Sequence, residues 1–380
     1  MAAAVRPLPA VDLPIASCDG LVLAQGLVAR CDLPSFDTSA MDGWALAGPG
    51  PWVVVGSALA GRPSAIELRS GEAVEIATGG AVPEGADAVL RSEDGQVDDG
   101  PGAARTLRGE RPTPGMWIRP SGEECRAGEV LAGAGTVVTP ALVGLAAASG
   151  HDHLTVIPRP STALVIFGDE LVTAGVPGPG LVRDSLGPQV PAWLARMGVE
   201  VLAVEHAEDT LAAHVDAIGR WAQEVDLVLT TGGTASGPVD HLHAAIAGCG
   251  GEILVDSVAV RPGHPMLAGA VGGRSWLVGL PGNPQSAIVT LMTLAAPIID
   301  ALSGRPAVVD LPRVRAGAPI GAPPHEDRLV LGSAAGSVFH PGAHLGSGML
   351  RGLASAQGFA VVPPGGVQAG ATLRWLPLPP

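Results

Sequence analysis

The 380-residue chain contains no lysine and no tyrosine, and its single asparagine is Asn283. All 22 cationic side chains are therefore arginine. GC-rich coding removes Lys, Asn and Tyr together, yet the loss still excludes chemistry. No lysine Schiff base can form on this chain, and no P-loop lysine can reach a nucleotide phosphate. Its cysteines, Cys18, Cys31, Cys125 and Cys249, show no CxxC spacing. That argues against zinc and disulfide frameworks and for reduced thiols in a cytoplasmic protein. The formal charge of −14 lacks the basic excess that nucleic-acid binding demands. The charge is uneven, since five arginines face three acids from Val308 onward. Arg6 and Asp12, with two prolines between them, leave no room for a signal-peptide core. Residues 275–299 are uncharged and long enough to span a membrane. However, Pro281-Gly282-Asn283-Pro284 divides them into a short strand and a helix of about four turns, so no membrane association is expected.

Hydrophobic residues make up 47%, ample for cores, and the length predicts two to four domains at about 100–150 residues each. Gly (54) and Pro (36) are interleaved with apolar runs, as turns are in β-rich or α/β proteins. Residues 11–33 carry a helix-like apolar pattern. Within 34–116, short apolar runs at 52–55, 73–76 and 88–90 predict a small β domain. Over 139–149, Thr139 is placed to cap a helix with Pro140 in its first turn and Gly150 at its end.

From Ser161 the rhythm becomes α/β. Strands are predicted at 163–167, 199–204, 226–230 and 277–280, and helices at 188–197, 211–223 and from Gln285. Such alternation implies a mostly parallel sheet joined by right-handed crossovers, with ligands beyond the carboxyl ends of its strands. Short β runs return at 313–316, 328–331 and 359–362.

Three loops leave strand ends in the α/β segment. In Gly168-Asp169-Glu170-Leu171, two acids can hold Mg²⁺ or orient a water; the alternative is a turn capped by Asp169. The segment Thr230-Thr231-Gly232-Gly233-Thr234-Ala235-Ser236-Gly237-Pro238-Val239-Asp240 offers backbone N–H groups and hydroxyls to an anion. Pro238 is suited to open the next helix, with Asp240 in its first turn. Leu280-Pro281-Gly282-Asn283-Pro284-Gln285-Ser286 turns into a helix N-terminus, which is either an anion site or a structural turn. The pairs His151/His153 and His241/His243 lack a third ligand in sequence reach, so capping or solvated histidines are expected. Cys249, between two glycines, reads as a buried small residue.

Taken with Ser39-Ala40-Met41-Asp42-Gly43-Trp44-Ala45, the run from Ile76 through Thr78 to Val89, Arg119-Pro120-Ser121-Gly122-Glu123-Glu124 and Arg261-Pro262-Gly263-His264-Pro265, these loops resemble the MoeA family. Its members are molybdopterin molybdenumtransferases, homologous to the gephyrin E domain, and the resemblance runs through nearly the whole chain. It implies an α/β plus β multidomain fold. A discontinuous elongated linker domain would occupy 1–33 and 117–158, and a small β domain 34–116. A MogA/MoaB-like molybdopterin-binding α/β domain with a mostly parallel sheet would occupy 159–306, and a C-terminal β-barrel-like domain 307–380.

The resemblance also implies insertion of molybdate into adenylylated molybdopterin, with Mg²⁺ and release of AMP. Asp42, Thr78, Glu170 and Asp240 would be catalytic, with Glu170 and Asp240 holding the metal. Thr231, Gly232, Gly233, Ser236, Gly237, Arg261, His264, Pro281, Gly282, Asn283 and Ser286 would bind the pterin, its phosphates or the oxyanion. The C-terminal domain matches the family weakly, and Arg328 and Ser347 are the candidates for its polar contacts. A cytoplasmic homodimer is implied, with MogA-type proteins and acceptor molybdoenzymes as partners and neither nucleic acid nor membrane. Three positions depart from the family pattern. Phe167 replaces a hydroxyl, Leu186 replaces an amide, and His264 stands where lysine is usual. These departures carry an alternative, a catalytically degenerate pterin-binding scaffold. A molybdopterin adenylyltransferase is a further alternative, which residues 34–116 argue against.

Overall fold

A computed structural model describes residues 4–59, 61–62, 65–99, 105–234, 241–306 and 310–379. The chain divides into two compact units, residues 12–19 with 25–155, and residues 1–11 with 20–24 and 156–380.

The first unit is built on a six-stranded sheet. Its strands are β1 (Gly43–Leu46), β2 (Trp52–Ala58), β3 (Glu72–Ile76), β4 (Ala88–Arg91), β5 (Gly95–Asp99) and β6 (Arg105–Gly109), in the order β4-β1-β3-β2-β6-β5. Neighbouring residues point to opposite faces of a pleated strand, so β1 to β4 each feed two cores. Ala45, Val74, Ile76 and Val89 pack on one side. Leu46, Trp52, Ala73, Leu90 and Leu107 pack on the other. In the same unit α1 (Pro140–Ala148) starts as its sequence predicts. The Thr139 side chain accepts the Leu142 N–H at 3.2 Å, Pro140 occupies the first turn, and Gly150 follows with φ of 94°.

The helix-like pattern over 11–33 folds otherwise. It gives strand Val11–Pro14, a 3-10 turn Ile15–Ser17 and the strands Val22–Leu23 and Leu27–Val28. Pro14 lacks an N–H, and Gly20 takes φ of 78°, so the backbone cannot run as one helix. The two later strands take their hydrogen bonds from distant segments instead. Val22–Leu23 pairs with residues 156–157, and Leu27–Val28 pairs with Val130–Ala132.

In the second unit the sequential elements are β7 (Ser161–Phe167), α2 (Leu186–Arg196), β8 (Glu200–Ala207), α3 (Leu211–Glu224), β9 (Leu227–Thr231), α4 (Leu242–Gly248), β10 (Glu252–Asp256), β11 (Val260–Arg261), β12 (Leu267–Val271) and β13 (Ser275–Leu280). Six of these strands form a sheet in the order β8-β7-β9-β13-β12-β10. The first four run parallel, and β12 and β10 add antiparallel pairs. Strand β7 is buried on both faces, as strands of parallel sheets are. Ala163, Val165 and Phe167 join the core beneath α3 and α4. Leu164 and Ile166 join the larger core with Leu194, Ile288 and Ile298.

The helix after β13 outruns its predicted four turns. It comprises α5 (Pro284–Thr290), a π-helical segment Leu291–Ala295 and α6 (Ala296–Leu302). Pro297 has no N–H for the preceding turn, which accompanies the widening just before it. Pro284–Leu302 is long and apolar enough to cross a membrane by composition, but 67% of that window is buried inside the protein.

The chain closes with β14 (Arg313–Ala316), β15 (Asp327–Ala335), β16 (Val338–Pro341), α7 (Leu350–Ser355), β17 (Gly358–Val362) and β18 (Thr372–Pro377). Strands β15, β16, β14, β18 and β17 pair in that order, and β17 returns to β15, closing a five-stranded barrel. β11 lies parallel against β15, with Arg261 opposite Arg328.

Candidate functional site

Strands β7, β9 and β13 are parallel neighbours, so their carboxyl ends lie along one edge of the sheet. The three loops singled out in the sequence leave from that edge, and backbone contacts tie them together. The Gly232 N–H donates to the Leu280 carbonyl at 3.0 Å. A Cβ on Gly232 would come within 3.1 Å of the Phe167 carbonyl oxygen. Gly232 and Gly233 take φ of 86° and 66°, where a side chain is strained. Thr231 and Thr234 are buried beside them.

In the first loop the Leu171 N–H closes a tight turn on Gly168 at 3.2 Å, leaving Asp169 and Glu170 exposed. Asp169 Oδ1 accepts the backbone N–H of Asp209 at 3.2 Å. The Glu170 carboxylate folds back, with Oε2 2.9 Å from where a Cβ on Gly168 would sit.

In the third loop Pro281 is buried, while Gly282 and Asn283 are exposed. Asn283 is the N-cap of α5 through its carbonyl, which accepts the Ala287 N–H at 2.9 Å. Its side chain makes no capping bond and points toward Gly348. Ser286 is buried in the first turn. Next to it, buried Gln285 anchors the loop to the segment before α7. Its N–H donates to the Ser347 carbonyl at 2.9 Å, and its Nε2 donates to the carbonyls of His344 at 2.9 Å and Met349 at 2.7 Å.

Arg261 and His264 converge on a residue that sequence reasoning missed. Arg261 Nε donates to Glu326 Oε2 at 2.7 Å, and His264 Nδ1 lies 3.0 Å from Glu326 Oε1, outside hydrogen-bonding geometry. The Arg261 guanidinium, helped less by His264, holds the Glu326 carboxyl below the ordinary carboxylate range. Arg328 points elsewhere and donates to the Gly321 carbonyl at 2.9 Å. Ser347 contributes its backbone carbonyl to Gln285.

In the first unit, Asp42 immediately precedes β1. Its Oδ1 accepts the Thr78 N–H at 2.7 Å and the Thr78 hydroxyl at 3.1 Å. Those bonds, the N–H first, hold Asp42 below the usual carboxylate range. Gly43 fixes this placement, because a Cβ there would collide with the Leu90 carbonyl oxygen of the paired strand β4. Ser236, Gly237 and Asp240, with Pro238, lie outside the described residues.

Other sequence features find structural partners. His151 Nε2 lies 2.8 Å from the Val28 carbonyl, and His243 Nε2 lies 3.0 Å from Asp256 Oδ1. Among the described residues no cluster of three or more His, Cys, Asp or Glu is arranged to hold a metal. All four cysteines are free thiols. Asp184 caps its own turn, accepting the N–H groups of Leu186 and Gly187 at 2.9 Å, while Leu186 is buried in the core.

An α/β domain with anion-suited turns at one edge, joined to a closed barrel and accompanied by a separate β-sheet unit, defines the class of protein. Residues 1–150 match the MoeA N-terminal region (domain I and II), 163–301 the domain described as "Probable molybdopterin binding domain", and 313–378 the MoeA C-terminal region (domain IV). Molybdopterin molybdenumtransferase 2 of Mycobacterium tuberculosis (strain H37Rv) is 35% identical over 324 residues, covering 80% of this chain and 78% of that protein. Molybdopterin molybdenumtransferase of Synechococcus elongatus is 35% identical over 310 residues, covering 77% and 75%. The crystal structure of the molybdopterin biosynthesis moeA protein of Pyrococcus horikoshii superposes with a TM-score of 0.82 over 99% of this chain and 96% of that one. At 24% identity it speaks for the fold. The chain belongs to the MoeA family.

Proposed function

We propose that this protein is a molybdopterin molybdenumtransferase, inserting molybdate into adenylylated molybdopterin and releasing AMP in molybdenum cofactor biosynthesis. The observation that carries this reading is the convergence of three anion-suited loops at one sheet edge, in a chain whose relatives bear that name.

In this reading the Gly232–Gly233 turn, with Thr231, Ser236 and Gly237, receives the phosphates through the Gly233 N–H and hydroxyl donors, the Gly232 N–H being held by the Leu280 carbonyl. Arg261 supplies the planar cation for an oxyanion, with His264 beside it. Glu326 occupies that guanidinium, so the incoming anion must displace or share it. Gly282 and Asn283 shape the rim at the start of α5, with Pro281 and Ser286 buried behind them. Asp42, oriented and kept ionised by Thr78, is assigned to the same reaction from the β-sheet unit of a second chain in a homodimer.

Glu170 and Asp240 are assigned to Mg²⁺. The exposed Glu170 carboxylate fits such an ion, which takes few protein carboxylates and completes its shell with water and phosphate oxygens. When bound, the ion supplies polarisation of the phosphoanhydride. We further assign the protein to the cytoplasm, with MogA-type proteins and acceptor molybdoenzymes as its partners.

The test supplies purified protein with adenylylated molybdopterin, MgCl₂ and sodium molybdate. The expected outcome is molybdate-dependent AMP release together with cofactor that activates an apo-molybdoenzyme. Tight pterin binding without AMP release would reject the enzyme in favour of a scaffold. Asp240→Ala should abolish turnover with folding intact. Sedimentation of the full chain checks the homodimer.

A further inference from the structure

Beneath the Gly232–Gly233 turn lies a histidine with no part in the reaction as assigned so far. His214, in the first turn of α3, is fully buried. Its ring stacks on Phe167 with centroids 3.5 Å apart and planes 10° from parallel, and it meets His241 edge-on at 5.6 Å. Nδ1 lies 2.8 Å from the Thr210 carbonyl oxygen. A carbonyl only accepts, so Nδ1 carries the ring hydrogen and Nε2 of the neutral ring is a bare acceptor. Nε2 faces a second acceptor, Asp209 Oδ1, at 3.8 Å. Among the described residues neither atom has a hydrogen-bond partner.

Two buried acceptors turned toward each other are destabilising, and one proton between them satisfies both once the pair draws in from 3.8 Å to hydrogen-bond distance. The Gly233 backbone packs on the same edge of the ring, since a Cβ there would lie 3.3 Å from Nε2. The charged or titratable groups around the ring among the described residues are Asp209, from the loop before α3, and His241, from the segment before α4. Desolvation by burial keeps His214 below the ordinary histidine range, outweighing Asp209, so the free protein holds it neutral.

We infer that His214 is a proton-loaded cation for this turn: a phosphate-class anion settling on Gly232–Gly233 draws a proton from solvent onto Nε2, and Asp209 Oδ1 accepts its hydrogen bond. Only an N–H bond forms, and the buffer gives up the proton. The ring then sets a positive charge under the turn of a chain that has no lysine. Phe167, where the family carries a hydroxyl, fixes the plane of the ring. The inference rests on the anion reading of this turn.

The test is isothermal titration calorimetry of the full chain at pH 7.5 with inorganic pyrophosphate and, separately, AMP, in buffers of low and high ionisation enthalpy. The expected result is uptake of about half to one proton per anion bound. His214→Leu should abolish the uptake and weaken binding about tenfold. In the wild type, ¹⁵N-histidine NMR should show the His214 Nε2 signal change from acceptor to N–H type on adding pyrophosphate, a readout that needs no variant to fold. Binding without proton uptake, or uptake unchanged in His214→Leu, overturns this inference and leaves the anion reading standing. Failure of the wild type to bind either probe overturns both.

Discussion

Replacing Gln285 with leucine should loosen the junction between the helix-entrance loop and the C-terminal segment while leaving side-chain volume nearly unchanged. Gln285 is 2% exposed. Its amide nitrogen is a shared donor to the His344 and Met349 carbonyls at 2.9 and 2.7 Å. Leucine removes both donors from part-buried carbonyls, at about 1–3 kcal/mol for each one left orphaned. Greater apolar burial returns about 1 kcal/mol. The net loss is about 1–5 kcal/mol, confined to segments that touch the amide. At about 1.4 kcal/mol per factor of ten, local opening becomes roughly 5- to 4,000-fold more frequent.

Hydrogen exchange followed by mass spectrometry reads this directly. Peptides covering 283–287 and 341–356 should lose protection, while those covering β7 and β9 should not. Gln285→Glu should cost more, because a carboxylate oxygen would then face two carbonyl oxygens. Exchange within about twofold of wild type in both segments would refute the reasoning, and would mean that the Gln285 N–H bond to Ser347 suffices.

Two further outcomes follow from ion geometry. Glu326→Gln removes the charge that occupies Arg261, so molybdate should bind about three- to tenfold more tightly by equilibrium dialysis; weaker or unchanged binding would show that Glu326 only docks the barrel. Thr78→Val deletes one donor to Asp42 but keeps the backbone N–H. Because the folded carboxyl titrates below its unfolded range, its stabilisation is present above the unfolded value and is lost as pH falls through the folded one. Carboxyl ¹³C NMR should therefore place the Asp42 midpoint higher in the variant than in the wild type; an unmoved midpoint assigns the effect to the N–H alone.

Local chemistry made much of the fold legible. The predicted strand at 163–167 and the helix capped by Thr139 correspond to β7 and α1, because a buried parallel strand and a capped helix each write a short-range signature. Residues 11–33 misled for the opposite reason, since their apolar spacing suits a helix while their hydrogen-bond partners come from 130–132 and 156–157. The same separation hides site residues. Glu326 is 65 positions from Arg261, and nothing local marks it. His214 reads as an ordinary residue of an amphipathic helix until the β7–β9 edge places Phe167 against its ring. The three strand-end loops were legible as a set because strand–helix alternation itself determines which ends share an edge.

The glycine that follows Asp42 carries an evolutionary consequence. The Leu90 carbonyl stands where any Cβ at position 43 would go. Every first- or second-base change in a glycine codon adds a side chain or a stop, so that codon tolerates only silent third-base change. Lineages drifting through this stretch are filtered at assembly of the sheet before selection can weigh the carboxylate. Invariance at position 43 among relatives would therefore report a folding constraint, and only variation at position 42 would report on chemistry.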